Sequence, residues 1–505
     1  MENKVTNRAK MYQIALFPMN NGATNVYFVL ILTYVATFGD KVLALGMFFA
    51  SAMLAVMRVF DAITDPIIGA IMDRTNGKWG KFRPFMVIGN IIMAVSTILL
   101  YMLTPSIPET MMWLRYVAFI LFYAIWVIGY TFQTSVTRSG QTVITNDPKQ
   151  RPLTAIFNAV GQIAGMGVMQ VMAFVAIAFV ADADKTGFYS FLTPIGIIVS
   201  FILTVLAVIG IWEKDNPKYY GLGESTQEKT KISEYVEIVK NNKPMQRLMV
   251  AGAGCKLALS VATSFNVLCM IYGSMMGNYN GLYFPMMAVG YVFSAPFFLL
   301  SARTSQKKGQ KASLVKYVTV ALISYVGVVA LLLLWQQGNP ARNLTLFSDG
   351  RITINLYTIL FILFFGIGYG AYYTTADLPI PMVADCSDYE TYRSGKYIPG
   401  IMGTMFSLVD KLVSSLSALI VSIAISFIGL KDFPTAETPY VEGMNWVVIV
   451  LFCIIPMVAW IVTLIAMKGY SLTGSRMKEI QDVNASRKEA IENGMSIEQA
   501  METYK

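Results

Sequence analysis

Two aspartates, Asp61 and Asp65, stand four residues apart inside an otherwise apolar run. On a helix that spacing stacks them on one face. Carboxylates inside a membrane span are costly and face the bundle interior or a water-filled cavity. Paired oxygens of this kind suit a hard cation, and at close range two such acids can share a proton. Pro66 beside them removes a backbone donor and frees a carbonyl. The competing account of the same pair is a static salt bridge to Arg58 or Lys411. Further charges fall in apolar runs, among them Lys256, Asp377, Asp410 and Lys411. Asp410 and Lys411 are neighbours, which point in different directions on a helix and need not pair. Lys256, Asp377 and Asp410 are candidates for solute contact, or else form ion pairs in the interior or line a wet vestibule. Histidine is absent, which removes the usual proton shuttle and the commonest metal ligand. The four cysteines (Cys255, Cys269, Cys386 and Cys453) lie singly, without metal-ligand or disulfide spacing, and read as small buried hydrophobes.

The elements that position these groups are membrane spans. Of 505 residues 55% are hydrophobic and 14% charged, with a mean hydropathy of +0.55. A soluble chain carries about a quarter charged residues. Twelve apolar segments reach the roughly 20 residues that a spanning helix needs. They are Tyr12–Thr37, Val42–Met72, Phe85–Leu103, Trp113–Val136, Leu153–Val180, Phe188–Trp212, Leu248–Tyr272, Leu282–Ser301, Val315–Trp335, Ile354–Val383, Gly400–Leu430 and Val447–Met467. The N-terminal Lys4, Arg8 and Lys10 lead into a long, polar-dotted helix, which reads as a retained first span.

The net charge of +9 follows topology rather than a nucleic-acid partner, because the basic residues cluster in alternate loops. One set of loops holds Arg74, Lys78, Lys81 and Arg83, then Arg138, Lys149 and Arg151, then Arg303 to Lys311, and Arg393 and Lys396. The opposite set is sparse or acidic, as at Asp182–Asp184 and Asp432–Glu442. The positive-inside bias places the first set, and with an even span count both termini, on the cytoplasmic side of the inner membrane. The polar stretch Glu213–Arg247 divides the chain after span six, with a short helix expected around Ile232–Lys240. The expected domains are therefore 1–212 and 248–468 as six-helix halves, 213–247 as linker and 469–505 as a cytoplasmic tail. In that tail Ser496 and Gln499 have capping-box spacing. Arg74-Thr75 with Gly80 after span two, and Arg303-Thr304 with Gly309 after span eight, form a weak internal repeat. Two six-helix halves with a solute site near the midplane are the major facilitator plan.

Three blocks carry a more specific resemblance. The first is Asp61-Ala62-Ile63-Thr64-Asp65-Pro66, followed by Gly69, by Asp73-Arg74 with Gly77-Lys78, and by Lys81-Phe82-Arg83-Pro84. The second is Met382-Val383-Ala384-Asp385-Cys386-Ser387-Asp388-Tyr389-Glu390. The third is Tyr470-Ser471-Leu472-Thr473 with Glu479-Ile480. In this order they resemble the glycoside–pentoside–hexuronide:cation symporters, a branch of the major facilitator superfamily that includes the melibiose-permease-like carriers.

The resemblance implies that Asp61 and Asp65 are cation-site acids, with Thr131 and Thr134 on span four as further ligands. It implies a solute pocket with Asn20, Tyr27 and Tyr130, and places Lys411 near the cation site. Trp126 joins the aromatics that can stack on a sugar ring, the alternative for each being core packing. Asp377, Asp410 and Lys411 complete the solute-site candidates. Asn20 and Thr134 stand where the family's best-known member has acids, and Asn158 where it has an arginine. These departures remove two negative charges from the expected pocket and leave Na⁺ against H⁺ open. Gly69, Asp73 and Arg74, with Arg58 further up the same span, are expected to gate rather than bind.

The expected fold is all-α, twelve transmembrane helices in two six-helix halves. The expected function is secondary active symport of a sugar, glycoside or related small polar solute with Na⁺ or H⁺, by a monomer without cofactors in a lipid bilayer. A carrier for a non-sugar or anionic solute, or one working in exchange or efflux, is the runner-up. An enzyme is disfavoured: there is no histidine, no Ser–base constellation, no phosphate-cradling loop, and the paired acids share one helix. A channel or a sensor is the remaining rival, and the two-half repeat favours alternating access.

Overall fold

Lipid offers no hydrogen-bond partner to backbone N–H and C=O groups, so each apolar run closes its own bonds as a helix. The computed structural model describes residues 7–147, 149–181, 184–222, 237, 240–348, 351–430, 434–435 and 437–504. Lys4, Asp182 and Asp432, and most of the helix expected at Ile232–Lys240, lie outside the described residues.

Among the described residues, ten helices are long and apolar enough to cross a membrane. A bent pair, Lys243–Ala262 and Phe265–Met275, meets the same test at a 46° bend and makes eleven. The 28-residue helix Met47–Arg74 fits the remaining place, span two, with Arg58, Asp61, Asp65, Asp73 and Arg74 in it and Pro66 inside. The helices fall where the hydropathy placed them, with ends shifted by a few residues. Span four is Met112–Ser139, span five Arg151–Phe179, span six Thr186–Ile211, span nine Gln310–Leu334 and span eleven Pro399–Ser426. Span ten runs Leu356–Asp377 and resumes as Pro379–Ser394, eleven residues past the expected end at Val383. A proline at the restart has no N–H to continue the ladder. A two-residue antiparallel ladder, Phe347–Ser348 with Arg351–Ile352, lies between spans nine and ten.

By contacts the described chain groups into two compact units. The first takes the chain up to Asn242 together with Val383–Leu408 and Ser475–Lys505, and the second takes Lys243–Met382 and Val409–Gly474. In the first unit, spans one and five approach through glycine: a Cβ on Gly161 would lie 2.8 Å from the Pro18 carbonyl, and one on Gly165 would meet the Gly22 backbone. Small residues four apart permit such approach where hydrophobic burial gives no preference between lipid and protein. Phe38, Tyr101 and Tyr189 pack edge to face at 4.7 Å in its apolar core. In the second unit Gly254 of span seven meets Thr463 and Ala459 of span twelve.

The internal repeat has a backbone counterpart. Gly80 and Gly309 both adopt positive φ, +82° and +86°, at the ends of their short turns. That conformation strains any residue with a Cβ. The tail contains Gly474–Glu492, a 19-residue helix that the sequence reading passed over, and Ile497–Thr503. Ser496 and Gln499 form the expected capping box, both bonds at 3.2 Å.

Candidate functional site

Span two carries its acids on the buried side. Asp61 is 3% exposed and Asp65 fully buried. The Thr131 hydroxyl of span four donates to Asp61 Oδ1 at 2.5 Å. A hydroxyl–carboxylate bond of that length is charge-assisted and fixes the carboxylate's orientation. Thr134, three residues on and on the same helix face, donates to the Tyr130 carbonyl at 2.8 Å, which leaves its oxygen lone pairs as acceptors. The set is therefore two carboxylates and two hydroxyls on spans two and four, oxygen donors throughout, the chemistry of a hard cation or of a shared proton. The residues present fit such an ion.

The expected solute residues of the first unit are more enclosed. Asn20 is fully buried, with its amide donating to the Gln133 carbonyl and to Thr137 Oγ1, both at 2.8 Å. Its oxygen accepts from Gln133 Nε2 at 3.0 Å, and the same amide group of Gln133 donates to Thr204 at 2.8 Å. Asn90 donates to Ser200 at 2.7 Å beside them. Gln133, Thr137, Thr204, Asn90 and Ser200 form a polar ladder that sequence reasoning did not single out. The signal was available, as hydrogen-bonding side chains inside apolar spans. Asn21 donates to the Asn158 carbonyl at 3.2 Å. The Asn158 amide is itself fully buried, and both its side-chain polar atoms are without a hydrogen-bond partner among the described residues.

The aromatic candidates divide. Trp126 and Tyr130 stack at 5.0 Å and 19°. Tyr27 and Trp126 belong to the buried core cluster, and Tyr130 is partly buried against it. In the second unit Asp377 ends the first helix of span ten, and Lys411 is buried on span eleven. Its neighbour Asp410 pairs instead with Lys256 of span seven, Oδ2 to Nζ 3.8 Å.

The loop motif holds helix ends together within the first unit. Asp73 accepts the backbone N–H of Gly400 on Oδ1 and of Ile401 on Oδ2, both at 2.8 Å. A carboxylate at the N-terminus of span eleven satisfies orphan donors and meets the positive end of the helix dipole. Gly69, one turn earlier, leaves no room for a Cβ against Thr404 and the Gly400 carbonyl. Arg74 is exposed at the end of the helix. Arg58 lies about 22 Å from Asp73 along the same helix, at 1.5 Å per residue, and three residues before Asp61.

Three further parts of this cluster were not recognised in the sequence. Lys81 is 1% exposed, its ammonium donating to the Asp73 carbonyl at 3.2 Å and lying 5.4 Å from the Tyr220 ring and 5.1 Å from the Tyr397 ring. Burial pushes its pKa below the ordinary lysine value, against the attraction of Asp73 and Asp215. Asp215 accepts the N–H groups of Lys81, Phe82 and Arg83 at 2.8 to 3.0 Å and so caps span three. Arg151, counted in the sequence only toward topology, binds Asp385 through Nη1 and Asp388 through Nη2, the latter at 2.6 Å. The second motif block is thus the acidic half of an ion cluster whose basic half starts span five.

Comparison with known proteins agrees with this architecture. A family model described as "MFS/sugar transport protein" matches residues 17–474. An uncharacterized symporter of Bacillus subtilis (strain 168) is 26% identical over 389 residues, 75% of each chain. The lactose permease of Lactobacillus delbrueckii subsp. bulgaricus is 25% identical over 470 residues, 90% of this chain and 68% of its own. Among solved structures, the Escherichia coli fucose:proton symporter aligns with a TM-score of 0.59 over 91% of this chain and 98% of its own, at 12% identity, a likeness of fold alone. With a family model covering nearly all its spans, the chain belongs to the MFS/sugar transport protein family, multi-pass membrane transporters and not enzymes.

Proposed function

We propose that the protein takes up a small polar solute, a sugar or glycoside, by symport with one kind of monovalent cation, Na⁺ or H⁺. The observation that carries the cation half is the Thr131–Asp61 bond at 2.5 Å, with the fully buried Asp65 one turn along. Two acids held this far from solvent, one of them oriented by a hydroxyl, support the binding of a small cation. Cation entry at Asp61, Asp65, Thr131 and Thr134 neutralises span two, and the solute then occupies a neighbouring pocket. Asn20, Tyr27, Trp126 and Tyr130 in the first unit are candidate solute contacts, and so, in the second unit, are Asp377, Asp410 and Lys411.

The two six-helix halves, 1–212 and 248–468, then rock about the loaded site. Gly69, Asp73 and Arg74, with Arg58, gate that motion, the Asp73 cap forming in one access state and breaking in the other. The relatives' names support the solute class, since a lactose permease and a symporter are among them. The basic loops support a chain with both termini on the cytoplasmic side of the inner membrane, and a monomer is the working unit of this scheme.

Accumulation in proteoliposomes under imposed Na⁺ and H⁺ gradients tests the reading. Asp65→Asn should abolish gradient-driven accumulation while sparing solute exchange. Accumulation unchanged in that variant would sink the scheme.

A further inference from the structure

Gln133 lies on span four between Thr131 and Thr134, yet belongs to neither the cation set nor the solute set. It is fully buried. Its side-chain amide donates one hydrogen to Asn20 Oδ1 of span one at 3.0 Å and the other to Thr204 Oγ1 of span six at 2.8 Å. Its main-chain carbonyl accepts from the Asn20 amide at 2.8 Å. That amide also donates to Thr137, one turn further along span four. One glutamine thus ties three helices of the first unit together, as polar side chains inside a membrane do. Span three is seated against the same stretch. A Cβ on Gly89 would lie 2.8 Å from the Gly129 carbonyl oxygen and 3.0 Å from the Gln133 backbone nitrogen.

Successive residues advance by about 100° around a helix, so Gln133 projects about 160° away from Thr131. The bonds of Gln133 and the Thr131–Asp61 bond therefore grip span four from opposite sides. A helix with its side chains is about 10–12 Å across, so a turn of about 10° about its axis carries a group at the rim by about 1 Å. The 2.5 Å bond from Thr131 to Asp61 would then exceed the length at which a hydroxyl bonds.

We propose that Gln133 is a positioning residue for the cation site, fixing the rotation of span four at which the Thr131 hydroxyl meets Asp61. The proposal rests on the cation reading above and deepens it. Asn20 and Thr204 are the fixed points against which Gln133 holds the helix. In this role Gln133 touches neither ion nor solute, because both its amide hydrogens are committed within the unit. A glutamine that only stabilised the bundle would change melting and leave the cation affinity of the folded protein alone.

The test needs no solute. The melting midpoint of the purified full-length protein is followed against Na⁺, replaced by choline at constant ionic strength, and in a second series against pH without Na⁺. A ligand that binds the folded state alone raises the midpoint with its concentration, so both series yield a cation affinity. Each protein is referenced to the same protein carrying Asp65→Asn. Gln133→Leu should weaken the cation that stabilises wild type by fivefold or more. The double variant Asn20→Leu with Gln133→Leu replaces both bonded amides by apolar groups. It should melt above Gln133→Leu and bind the cation no better. Should Gln133→Leu not fold, Thr204→Val takes its place, removing one distant bond, and should weaken the cation at least twofold. Cation affinity within twofold of wild type in folded Gln133→Leu overturns the proposal alone. So does affinity restored together with melting in the double variant, or unchanged affinity in Thr204→Val. A wild type that responds to neither Na⁺ nor pH, or responds equally with Asp65→Asn, overturns the cation reading, and this inference with it.

Discussion

Asp73 and Gly400 are separated by 327 residues and joined by a 2.8 Å hydrogen bond, backbone N–H to Oδ1. The Ile401 N–H takes the other oxygen of the same carboxylate. One side chain at the end of span two thus caps span eleven.

Removing that cap has a defined cost. Replacing an N-cap acid by alanine destabilises by about 1 kcal/mol, up to about 2. Asp73→Ala should lower the thermal midpoint of the purified protein and reduce transport, with Asp73→Asn intermediate, because its amide oxygen accepts one of the two bonds. Equal melting and transport in Asp73→Ala and wild type would deny the cap its role.

Thr131→Val keeps the shape of the side chain and removes its hydroxyl. Loss of a bond to a charged group is worth about 1.5–3 kcal/mol. Half-saturation by the coupling cation should rise by roughly tenfold or more, at one RT ln 10 per 1.36 kcal/mol. Solute exchange at saturating cation should change much less. Transport against cation concentration reads both.

Arg151 holds two acids, so the order of removal matters. Arg151→Ala leaves Asp385 and Asp388 buried without their cation, a loss of about 3–5 kcal/mol for a broken buried pair. The triple neutral variant Arg151→Gln, Asp385→Asn and Asp388→Asn should melt above Arg151→Ala. A thermal-shift series with all three proteins decides it.

Lys81 gives a pH signature. Its pKa in the folded protein is depressed below 10.5 by burial. Between the folded and unfolded values the unfolded chain holds more protons, so this residue makes stability rise with pH until about 10.5. The difference in melting temperature between wild type and Lys81→Met should move in favour of wild type as pH climbs toward that value. A difference independent of pH from 8 to 10.5 would show that Lys81 titrates as an ordinary exposed lysine.

What was legible along the chain was local. Apolar runs of about 20 residues become helices because lipid leaves the backbone no other partner. Asp61 and Asp65 share a face because four residues make about one turn. Ser496 and Gln499 cap a helix through bonds between residues three apart. Each of these rests on periodicity or on spacing within one element.

The rest was settled by pairings that no local pattern encodes. Lys256 finds Asp410 rather than leaving Asp410 to its neighbour Lys411, and Arg151 finds Asp385 and Asp388. Asp215 caps a helix that begins 132 residues before it. Asn20, expected at a solute pocket, has its amide filled by Gln133 and Thr137. The sequence by itself determined the spans and the span-two acids, since bilayer thickness and helix pitch act along the chain. Only the tertiary structure decided which buried charge meets which, because a buried polar group takes whatever partner the packed helices bring within about 3 Å.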